Sequence, residues 1–509
     1  MPLVEQVIRC LAESNSQWDR VLEPTCGKGN FLRGILGSSI LRSGGEIQGI
    51  EIQTAHLREA AQIPCDTALQ ASIKLIEASV FDLNLGTDLH WQANGRLLVI
   101  GNPPWVTNAE LGSLASTNLP EKRNLKGLNG LDALTGASNF DIAEYIWLKL
   151  IRELAEEKPT IALLCKTSVA RNVLQFAAKN RLPISQAYLR RIDSKKWFAA
   201  AVDSCLFVVE IGSRSDLREI PVYPDLTSSV PEQSLSMRDG KLIGDMEAYE
   251  ESAAIDGVFP LTWRQGMKHD AASIMELCRL GDGSLQNKLG EGVSIEEEYV
   301  FPLLKSSDLF NGRITNSHRH VIVTQRFIGQ DTADLETKAP KLWAYLNRHR
   351  AVFERRKSSI YIDKPPFSIF GVGDYAFSDY KVAISGLYKA PKFVAIGPIE
   401  GRPVMLDDTC YFVSCESAWQ CAAISILLNS PMCQKFLSAT SFADAKRPIT
   451  KKLLQRIHLQ ALWEQADSYQ LWEASRHLEA ELSPNGNPTY KQPWATKPPI
   501  GDMQLSFPM

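Results

Sequence analysis

Two consecutive prolines between an asparagine and a tryptophan form the most chemically suggestive group in the sequence, Asn102-Pro103-Pro104-Trp105. The prolines fix the backbone and remove two N–H donors, so the carbonyls of Asn102 and Pro103 are held outward as acceptors. With the Asn102 side-chain oxygen they can grip a planar NH₂ group, and Trp105 offers a flat surface for stacking a base. The spacing predicts a site for a substrate amine; a simple strand terminator is the alternative.

A glycine-rich turn lies upstream, in Glu23-Pro24-Thr25-Cys26-Gly27-Lys28-Gly29. It follows a predicted strand and precedes a predicted helix, and its glycines allow a tight turn and close approach to a ligand. This context fits the cofactor loop of a Rossmann-like sheet, although the run is not GxGxxG. A glycine turn that binds no ligand is the alternative.

Two carboxylates follow the glycine turn. Glu51 ends the predicted second strand, 22 residues beyond Gly29, where a carboxylate can accept hydrogen bonds from both hydroxyls of a ribose. Asp82 ends or follows the third strand and can accept from an exocyclic adenine amine. Each could be a solvated loop carboxylate, but their order after the turn favours cofactor binding.

Alternating strands and helices must position these groups. Apolar runs separated by helical patterns of about ten to fifteen residues predict a doubly wound parallel sheet in the first part of the chain. The predicted strands cover 20–24, 46–52, 73–80, 96–100, 160–165 and 205–210, and the predicted helices cover 4–11, 30–36, 54–62, 141–156 and 168–179.

Composition places the chain among globular proteins of several domains. It has 509 residues, 44% of them hydrophobic and 22% charged, with a formal charge of −3, so two to four domains are expected. Ten cysteines without a CxxC pair predict reduced, buried thiols in a cytoplasmic protein and no structural zinc site. The first residues do not have the pattern that predicts a signal peptide, and no apolar run is long enough to predict a membrane span.

Charge is divided unevenly along the chain. Residues 305–457 contain 22 Lys and Arg against 13 Asp and Glu, whereas the remainder contains 33 against 45. A basic second domain beside an acidic first domain fits a polyanionic partner. A solvated basic face is the alternative.

The motifs E23-P-T-C-G-K-G29, G49-I-E51, F81-D82 and N102-P-P-W105, in this order, resemble the S-adenosylmethionine-dependent adenine-N6 DNA methyltransferases. Catalytic motifs followed by a recognition domain look like the gamma class of restriction–modification systems. Later runs are also similar to that family: I161-A-L-L-C-K-T-S-V-A170, K196-W-F198, D203-S-C-L-F-V-V-E210, E298-Y-V-F-P-L-L-K-S-S-D308, K364-P-P-F-S-I-F-G-V-G373, Y380-K-V-A-I-S-G386 and D444-A-K-R-P-I-T450.

The resemblance implies a reaction without metal or covalent intermediate. A target adenine is flipped out of double-stranded DNA, and its N6 donates hydrogen bonds to the Asn102 side chain and the Pro103 carbonyl. With its lone pair exposed, N6 attacks the sulfonium methyl in line. Pro104 completes the catalytic motif, Trp105 stacks on one face of the base and Phe198 on the other. A core phenylalanine is the alternative for Phe198.

For the cofactor, S-adenosyl-L-methionine, the resemblance assigns Glu23 and the backbone from Cys26 through Gly27 to Gly29 to the amino-acid end. Glu51 takes the ribose and Asp82 the adenine, and Asn102 lies beside the methyl donor. Asn139-Phe140-Asp141 matches a further motif less closely. The family usually has a Thr-Pro segment before its first helix; here only Pro2 and 4–11 correspond, so either the pocket closes differently or the natural start lies upstream.

The densest cations of the second domain are expected to contact DNA phosphates. They are Arg319, Arg326, Arg348, Arg350, Arg355, Arg356, Lys357, Lys446 and Arg447. Arg264 to Asp270 could add a loop contact or only a turn.

The resemblance implies four segments. They are a methyltransferase domain over 1–212, a linker with connecting helices over 213–281, an α+β target-recognition domain over 282–459, and a C-terminal helix with a flexible tail over 460–509. The favoured state is a monomer, which modifies DNA either beside a cognate endonuclease that acts separately or as a solitary methylase that serves regulation.

Three other functions are left open by the residues. Asp334-Leu335-Glu336-Thr337-Lys338 has the look of a nuclease D-x-E-x-K run but lacks an upstream acidic partner. Asn-Pro-Pro-aromatic also fits an amine of RNA or protein. A catalytically silent DNA-binding subunit would keep the same fold.

Overall fold

The computed structural model describes residues 2–13, 17–64, 70–105, 141–199, 202–212, 217–442 and 447–483. The chain divides into two compact units, Met1–Met246 and Glu247–Met509. The predicted boundaries at 212, 281 and 459 stay predictions.

A sheet of ten strands runs through the first unit. Six of them match predicted or nearly predicted runs, and four are additional, Ile184–Ile192, Glu219–Tyr223, Gln233–Arg238 and Lys241–Ile243. The strands are β1 (Trp18–Glu23), β2 (Leu41–Glu51), β3 (Ser72–Glu77), β4 (Leu97–Gly101), β5 (Thr160–Lys166), β6 (Ile184–Ile192), β7 (Ser204–Ile211), β8 (Glu219–Tyr223), β9 (Gln233–Arg238) and β10 (Lys241–Ile243).

The strand order is β10-β9-β8-β6-β7-β5-β4-β1-β2-β3. Strands β5, β4, β1, β2 and β3 are parallel, whereas β7 runs antiparallel to both β5 and β6. The predicted α/β Rossmann-like fold is confirmed, with a mixed rather than wholly parallel sheet. Residues 219–243, predicted as linker, contribute three strands because their short apolar alternation pairs beyond β6.

The strand order of the sheet reverses between β1 and β4. These two strands are neighbours in the sheet although β2 and β3 lie between them in the sequence. Leu22 pairs with Val99, so the carboxyl ends of the two strands come to the same edge of the sheet. A crevice forms at such a switch point in open α/β sheets. The glycine turn after β1 and Asn102 after β4 therefore share this crevice.

Helices cover the sheet with their apolar faces. The predicted face of the first helix is confirmed, since Val4, Val7, Ile8 and Leu11 are buried. The helices are α1 (Pro2–Ala12), α2 (Asn30–Leu36), α3 (Thr54–Ala60), α4 (Ile142–Glu153), α5 (Thr167–Asn180) and α6 (Ser194–Phe198), with α7 (Met246–Ser252) at the unit boundary.

The second unit has a four-stranded and a six-stranded sheet. The strands are β11 (Arg264–Gln265), β12 (Glu276–Arg279), β13 (Leu285–Asn287), β14 (Gly292–Val293), β15 (Val300–Leu304), β16 (Arg319–Ile322), β17 (Tyr380–Ser385), β18 (Phe393–Ile396), β19 (Met405–Leu406) and β20 (Cys410–Cys415). The four-stranded sheet has the order β11-β20-β17-β18, and the six-stranded sheet has the order β14-β13-β12-β16-β15-β19.

Helices are distributed along the whole second unit. The predicted helix over 418–428 is confirmed. The region predicted as one helix over 462–482 forms two helices, because the Asp467 side chain caps the N-terminus of the second. They are α8 (Ala272–Met275), α9 (Ser306–Asn311), α10 (Leu335–Lys338), α11 (Pro340–Arg348), α12 (Arg350–Glu354), α13 (Ala418–Leu428), α14 (Pro431–Thr440), α15 (Lys451–Leu454), α16 (Leu459–Gln465) and α17 (Ser468–Leu482).

Within the ranges that the structure describes, no helix combines the length and apolar character needed to cross a membrane.

Candidate active site

A cavity of 410 Å³ opens at the carboxyl ends of β1, β2 and β4. It brings together the turn after β1, the end of β2 and the Asn-Pro-Pro segment, three motifs that lie apart in the sequence. Its lining consists of Pro24, Thr25, Ile50, Glu51, Ile52, Gln53, His56, Ala78, Ser79, Val80, Phe81, Asn102, Pro104, Ile142 and Ile146.

The glycine turn is held against β2 by hydrogen bonds. The Cys26 N–H donates to the Ile50 carbonyl at 2.8 Å. Gly27 and Gly29 have φ of +53° and +76°, a region that glycine adopts without strain. At Gly29 a β-carbon would lie 2.5 Å from Ile63 Cδ1, so packing as well as φ requires glycine there.

Glu51 orients the turn from the end of β2. Its Oε2 accepts the Gly27 N–H at 2.9 Å and its Oε1 accepts the Gln53 N–H at 2.8 Å. The side chain is buried yet lines the cavity. A carboxylate oxygen can accept a second hydrogen bond, so Glu51 retains acceptor capacity toward a ligand.

Glu23 is a buried carboxyl at the end of β1, with 3% of its surface exposed. Burial raises its pKa well above the ordinary value, against a hydrogen bond from the Leu32 backbone and with help from the charge of Glu51. Glu23 Oε2 and Thr25 Oγ1 are buried without a hydrogen-bond partner among the described residues. Buried polar atoms usually have a hydrogen-bond partner in protein or water, so these two are available to a ligand at this end of the crevice.

Asn102 follows β4 directly and its side chain is exposed at the cavity. Pro103 is buried and Pro104 is exposed, so the two prolines anchor the turn on one side and form cavity wall on the other. Trp105 is half-buried, and its Nε1 donates to the Leu164 carbonyl of β5 at 3.3 Å. This bond fixes the ring beside the predicted amine site.

Phe198 ends α6, a short helix capped by the Asp193 side chain. Its ring packs edge-on against Trp105, with centroids 4.8 Å apart and planes at 61°. The structure therefore brings together the two aromatics predicted to sandwich a base. They touch each other, whereas a sandwiched base needs a gap of roughly 7 Å, twice the van der Waals separation of stacked rings.

Asp82 is exposed and does not line the cavity. The preceding residues do, because the turn after β3 presents Ser79, Val80 and Phe81 to it. Phe81 is buried and packs edge-on against Tyr145 at 5.3 Å. The sequence motif F81-D82 contains both residues, but the ligand role was assigned to the carboxylate and not to the aromatic beside it.

Other lining residues were also missed by sequence reasoning. Ile52 follows Glu51 directly, is 43% exposed and faces the cavity together with His56. An apolar residue directly after a strand-ending carboxylate was the available signal. Ile142 and Ile146 enter from α4, and nothing in their local sequence distinguishes them from core residues.

An ion pair joins two elements that border the site. Lys166 at the end of β5 contacts Asp141 Oδ2 at 2.7 Å. Asp141 also caps α4 by accepting the Ala143 N–H at 3.0 Å. Asn139 and Phe140, named with Asp141 in the sequence, lie outside the described residues.

The predicted DNA-contacting cations occupy different environments in the second unit. Arg348, Arg355 and Lys357 are exposed, and the charge of Arg348 acts on Tyr345. Arg350 pairs with Glu354 at 3.2 Å, Arg326 lies over the Phe377 ring at 4.6 Å, and Arg319 pairs with Asp308. Arg447 donates to the Asp408 carbonyl at 2.8 Å. Lys446 lies outside the described residues.

Arg356 differs from its neighbours because its guanidinium is used within the fold. It donates to the carbonyls of Phe353 at 3.1 Å, Ser368 at 2.6 Å and His269 at 3.3 Å. Its charge lies 3.7 Å from the centre of the Tyr361 ring. These contacts tie the end of α12 to Ser368 and to His269, which weighs against the predicted phosphate contact at this position.

Comparison with known proteins found a curated relative by sequence and solved structures with a similar fold. The type II methyltransferase M.NspV of Nostoc sp. (strain ATCC 29411 / PCC 7524) is 37% identical over 470 residues, covering 91% of this chain and 95% of the relative. No family model matches.

Solved structures include the type IIL restriction–modification enzyme MmeI in complex with DNA. It aligns with a TM-score of 0.52 at 11% identity, over 96% of this chain and 73% of MmeI. The type IIG restriction endonuclease BpuSI aligns with a TM-score of 0.33 at 14% identity, over 93% of this chain and 60% of BpuSI. The MmeI alignment supports a common fold.

Proposed function

This chain belongs to the type II methyltransferases, and from that membership we propose that it methylates the N6 amino group of adenine in double-stranded DNA. The observation that carries the proposal is Asn102 at the rim of the crevice that Glu51 and the glycine turn also line. The gamma-class motif order supports adenine as the target. Asn102, Pro103, Pro104 and Trp105 are the proposed catalytic group.

S-adenosyl-L-methionine is the proposed methyl donor, and when bound it supplies an electrophilic methyl group on a sulfonium centre. Glu23, Thr25 and the backbone of Cys26 to Gly29 would hold its amino-acid end, where buried acceptors lack partners. Glu51 would accept hydrogen bonds from the ribose. Ile52 and Phe81 would flank its adenine as apolar walls, with Asp82 reaching the adenine amine from outside the cavity.

Asn102 and Pro103 act on the target amine. The Asn102 Oδ1 and the Pro103 carbonyl each accept a hydrogen bond from N6, which draws the nitrogen out of conjugation with the ring. Its lone pair then points at the methyl group. Holding the two reactants in this geometry contributes most of the rate, since orientation alone can supply about 7–11 kcal/mol.

The flipped base is proposed to stack on Trp105, with Phe198 on its other face. Because these rings are in contact, 4.8 Å between centroids, one must move to admit the base. Trp105 is tied to the Leu164 carbonyl, whereas Phe198 ends a five-residue helix. Phe198 is therefore the ring that moves.

The biological role that we propose is the modification component of a restriction–modification system. The methylated site would be protected from a cognate endonuclease that acts as a separate protein. A monomer is the proposed state, and exposed cations of the second unit would contact the DNA phosphates.

The decisive experiment is methyl transfer from labelled S-adenosylmethionine to unmethylated genomic DNA, followed by nucleoside analysis. Wild-type protein is expected to produce N6-methyladenine. Asn102→Ala is expected to reduce transfer at least about a hundredfold, as loss of a positioned polar group at a reacting centre does. Its affinity for the cofactor should stay within a few-fold, because Asn102 is exposed at the rim.

A different methylated base would contradict adenine specificity. Methyl transfer to RNA or protein, with DNA unmodified, would contradict the DNA substrate. Cofactor binding without any transfer would indicate a silent DNA-binding subunit.

A further inference from the structure

Two buried carboxylates of the second unit each hold two cations that reach solvent. The first is Glu276 in β12, which contacts Lys288 Nζ at 2.6 Å and Lys305 Nζ at 2.7 Å. The Glu276 side chain is 7% exposed, whereas those of Lys288 and Lys305 are 52% and 26% exposed. His269 Nε2 lies 3.7 Å from the same carboxylate, but burial lowers the pKa of His269, so it is neutral at pH 7. The solvent side of this group is therefore positive.

Asp308, in the first turn of α9, repeats this arrangement with two arginines. Its Oδ1 lies 3.4 Å from a guanidinium nitrogen of Arg313, and its Oδ2 pairs with Arg319. The Asp308 side chain is 7% exposed, and those of Arg313 and Arg319 are 60% and 44% exposed. One carboxylate neutralises one guanidinium charge, so this group also keeps a positive charge toward solvent.

Lys305 joins the two groups into one surface. Its ammonium group contacts Glu276, and its backbone N–H donates to Asp308 Oδ2 at 3.0 Å. Lys392 adds a cation at the end of α9, where its Nζ donates to the Phe310 carbonyl at 3.1 Å. We use the name cation array for five residues, Lys288, Lys305, Arg313, Arg319 and Lys392.

Strand alternation separates the cation array from Arg279 and its acids. Cys278 and Arg319 are partners across β12 and β16, so they point to one face of the sheet, and the adjacent Arg279 points to the other. Arg279 pairs there with Glu297 and lies 3.8 Å from Glu400. Further acids of these segments have partners outside the array, namely Ser284 for Asp282, His349 for Glu291 and the backbone of Lys341 for Glu296.

The charge around α9 stays positive when the acids near it are counted. Asp407 lies close to α9, because Thr409 Oγ1 donates to its carboxylate and accepts a hydrogen bond from Ser306. Asp408 lies 3.6 Å from Arg447, so these two charges cancel. Among the residues that the structure describes here, the five cations of the array then face three acids, Glu276, Asp308 and Asp407.

We propose that the cation array binds the phosphate backbone of double-stranded DNA, with Glu276 and Asp308 holding its side chains in place. Lysine and arginine are common phosphate contacts of proteins on DNA. A carboxylate that already orders a long side chain lowers the entropy lost when a phosphate binds. This inference rests on the proposed function and deepens it by naming where the second unit engages the duplex.

The spread of the cation array favours a polyanion as its partner. Its members come from separate segments beside β13, α9, β16 and β18 and form groups around two different carboxylates. Successive phosphates of DNA offer each group an anion of its own. A second copy of this chain that used the same face would instead oppose like charges.

The test measures the affinity of the full-length protein for unmethylated chromosomal DNA at several salt concentrations. The variants are Lys288→Gln and Arg313→Gln, which remove the more exposed cation of each group and leave a second cation on each buried carboxylate. Lys338→Gln is the matched control. Lys338 is 64% exposed in the same unit and pairs with the exposed Asp334, outside the array.

Each of the two variants is expected to lower the slope of log affinity against log salt by about 0.9, and the double variant by about 1.8, because one phosphate contact is lost at each position. Arg313→Lys keeps the charge and should keep the wild-type slope, as should Lys338→Gln. Urea unfolding of every variant confirms that the protein tested is folded. Lys392→Gln carries the same expectation of about 0.9 and disturbs no buried carboxylate.

Wild-type slopes in Lys288→Gln, Arg313→Gln and Lys392→Gln would overturn the proposal, as would an equal fall in the Lys338→Gln control. A changed oligomeric state at an unchanged slope would assign the array to a second copy and overturn it as well. The slopes are measured without methyl transfer. Reduced slopes in protein that forms no N6-methyladenine would therefore refute the proposed function and leave the cation array standing.

Discussion

Glu51 shows how one carboxylate can organise a ligand site before the ligand arrives. Its two oxygens accept N–H groups from Gly27 and Gln53, so the side chain cannot rotate away from the cavity. Preorganisation lowers the entropy that binding must overcome. The residue therefore acts on the shape of the glycine turn as well as on a ribose.

Replacing Glu51 by alanine is expected to weaken cofactor binding by at least about tenfold, since hydrogen bonds to charged groups contribute about 1.5–3 kcal/mol. Calorimetric titration with S-adenosylhomocysteine measures the change. Glu59→Ala is the control, because Glu59 is exposed and pairs with Lys28 at 3.0 Å. Equal affinities for Glu51→Ala and wild type would refute the cofactor role of Glu51.

Helix α4 carries a buried carboxyl group and two cavity-lining residues that its sequence pattern did not predict. It is buried over nearly its whole length, and Glu144 is inside with 4% of its surface exposed. Burial raises the pKa of Glu144 to about 7, against the hydrogen bond from Asn172 and with help from the charge of Asp141. The same helix supplies Ile142 and Ile146 to the cavity.

The raised pKa of Glu144 makes stability depend on pH. The folded state favours the protonated carboxyl, so its contribution is fully present below the ordinary pKa of 4.5 and is lost as pH rises through about 7. Glu144→Gln keeps the acceptor for Asn172 and cannot ionise. At pH 8 the variant should be more stable than wild type by roughly 3 kcal/mol, with the difference vanishing near pH 4.

Urea unfolding of wild type and Glu144→Gln at several pH values measures this difference in the free energy of unfolding. Other buried acids, such as Glu23, stay in both proteins and contribute the same pH dependence to each. A constant difference across pH would mean that Glu144 does not titrate between the two states.

At the scale of the whole molecule, charge is separated along the chain. The surplus of Lys and Arg lies in 305–457, but its members divide into those that hold the fold and those that face solvent. Arg356 is bonded to three carbonyls, whereas the adjacent Arg355 is exposed. Net charge alone cannot separate the two roles.

These adjacent arginines give a matched comparison. Arg356→Ala is expected to destabilise the protein by about 2–4 kcal/mol, because three carbonyls lose their donor. Arg355→Ala should change the free energy of unfolding by less than about 0.5 kcal/mol and lower the salt dependence of DNA binding by about 0.9 in slope. Denaturant unfolding and salt-dependent DNA titrations are to be made on both variants. A larger loss of stability in Arg355→Ala than in Arg356→Ala would contradict these roles.

The sequence by itself determined the α/β class, the order of the site motifs and most strands of the first unit. These features are local, since apolar periodicity, a glycine turn and an Asn-Pro-Pro run have meanings that do not depend on distant residues. The ends of β1, β2 and β4 then met because parallel neighbours place their carboxyl ends at one edge.

Only the tertiary structure decided which further strands and side chains surround that edge of the sheet. The antiparallel β7, the strands over 219–243, the contact between Trp105 and Phe198 and the inward turn of Phe81 depend on packing between segments far apart in sequence. Arg355 and Arg356 look alike as residues and differ because one guanidinium meets carbonyls from elsewhere in the fold. Such long-range contacts produce no periodic pattern in the sequence, and for that reason they could not be predicted from the sequence alone.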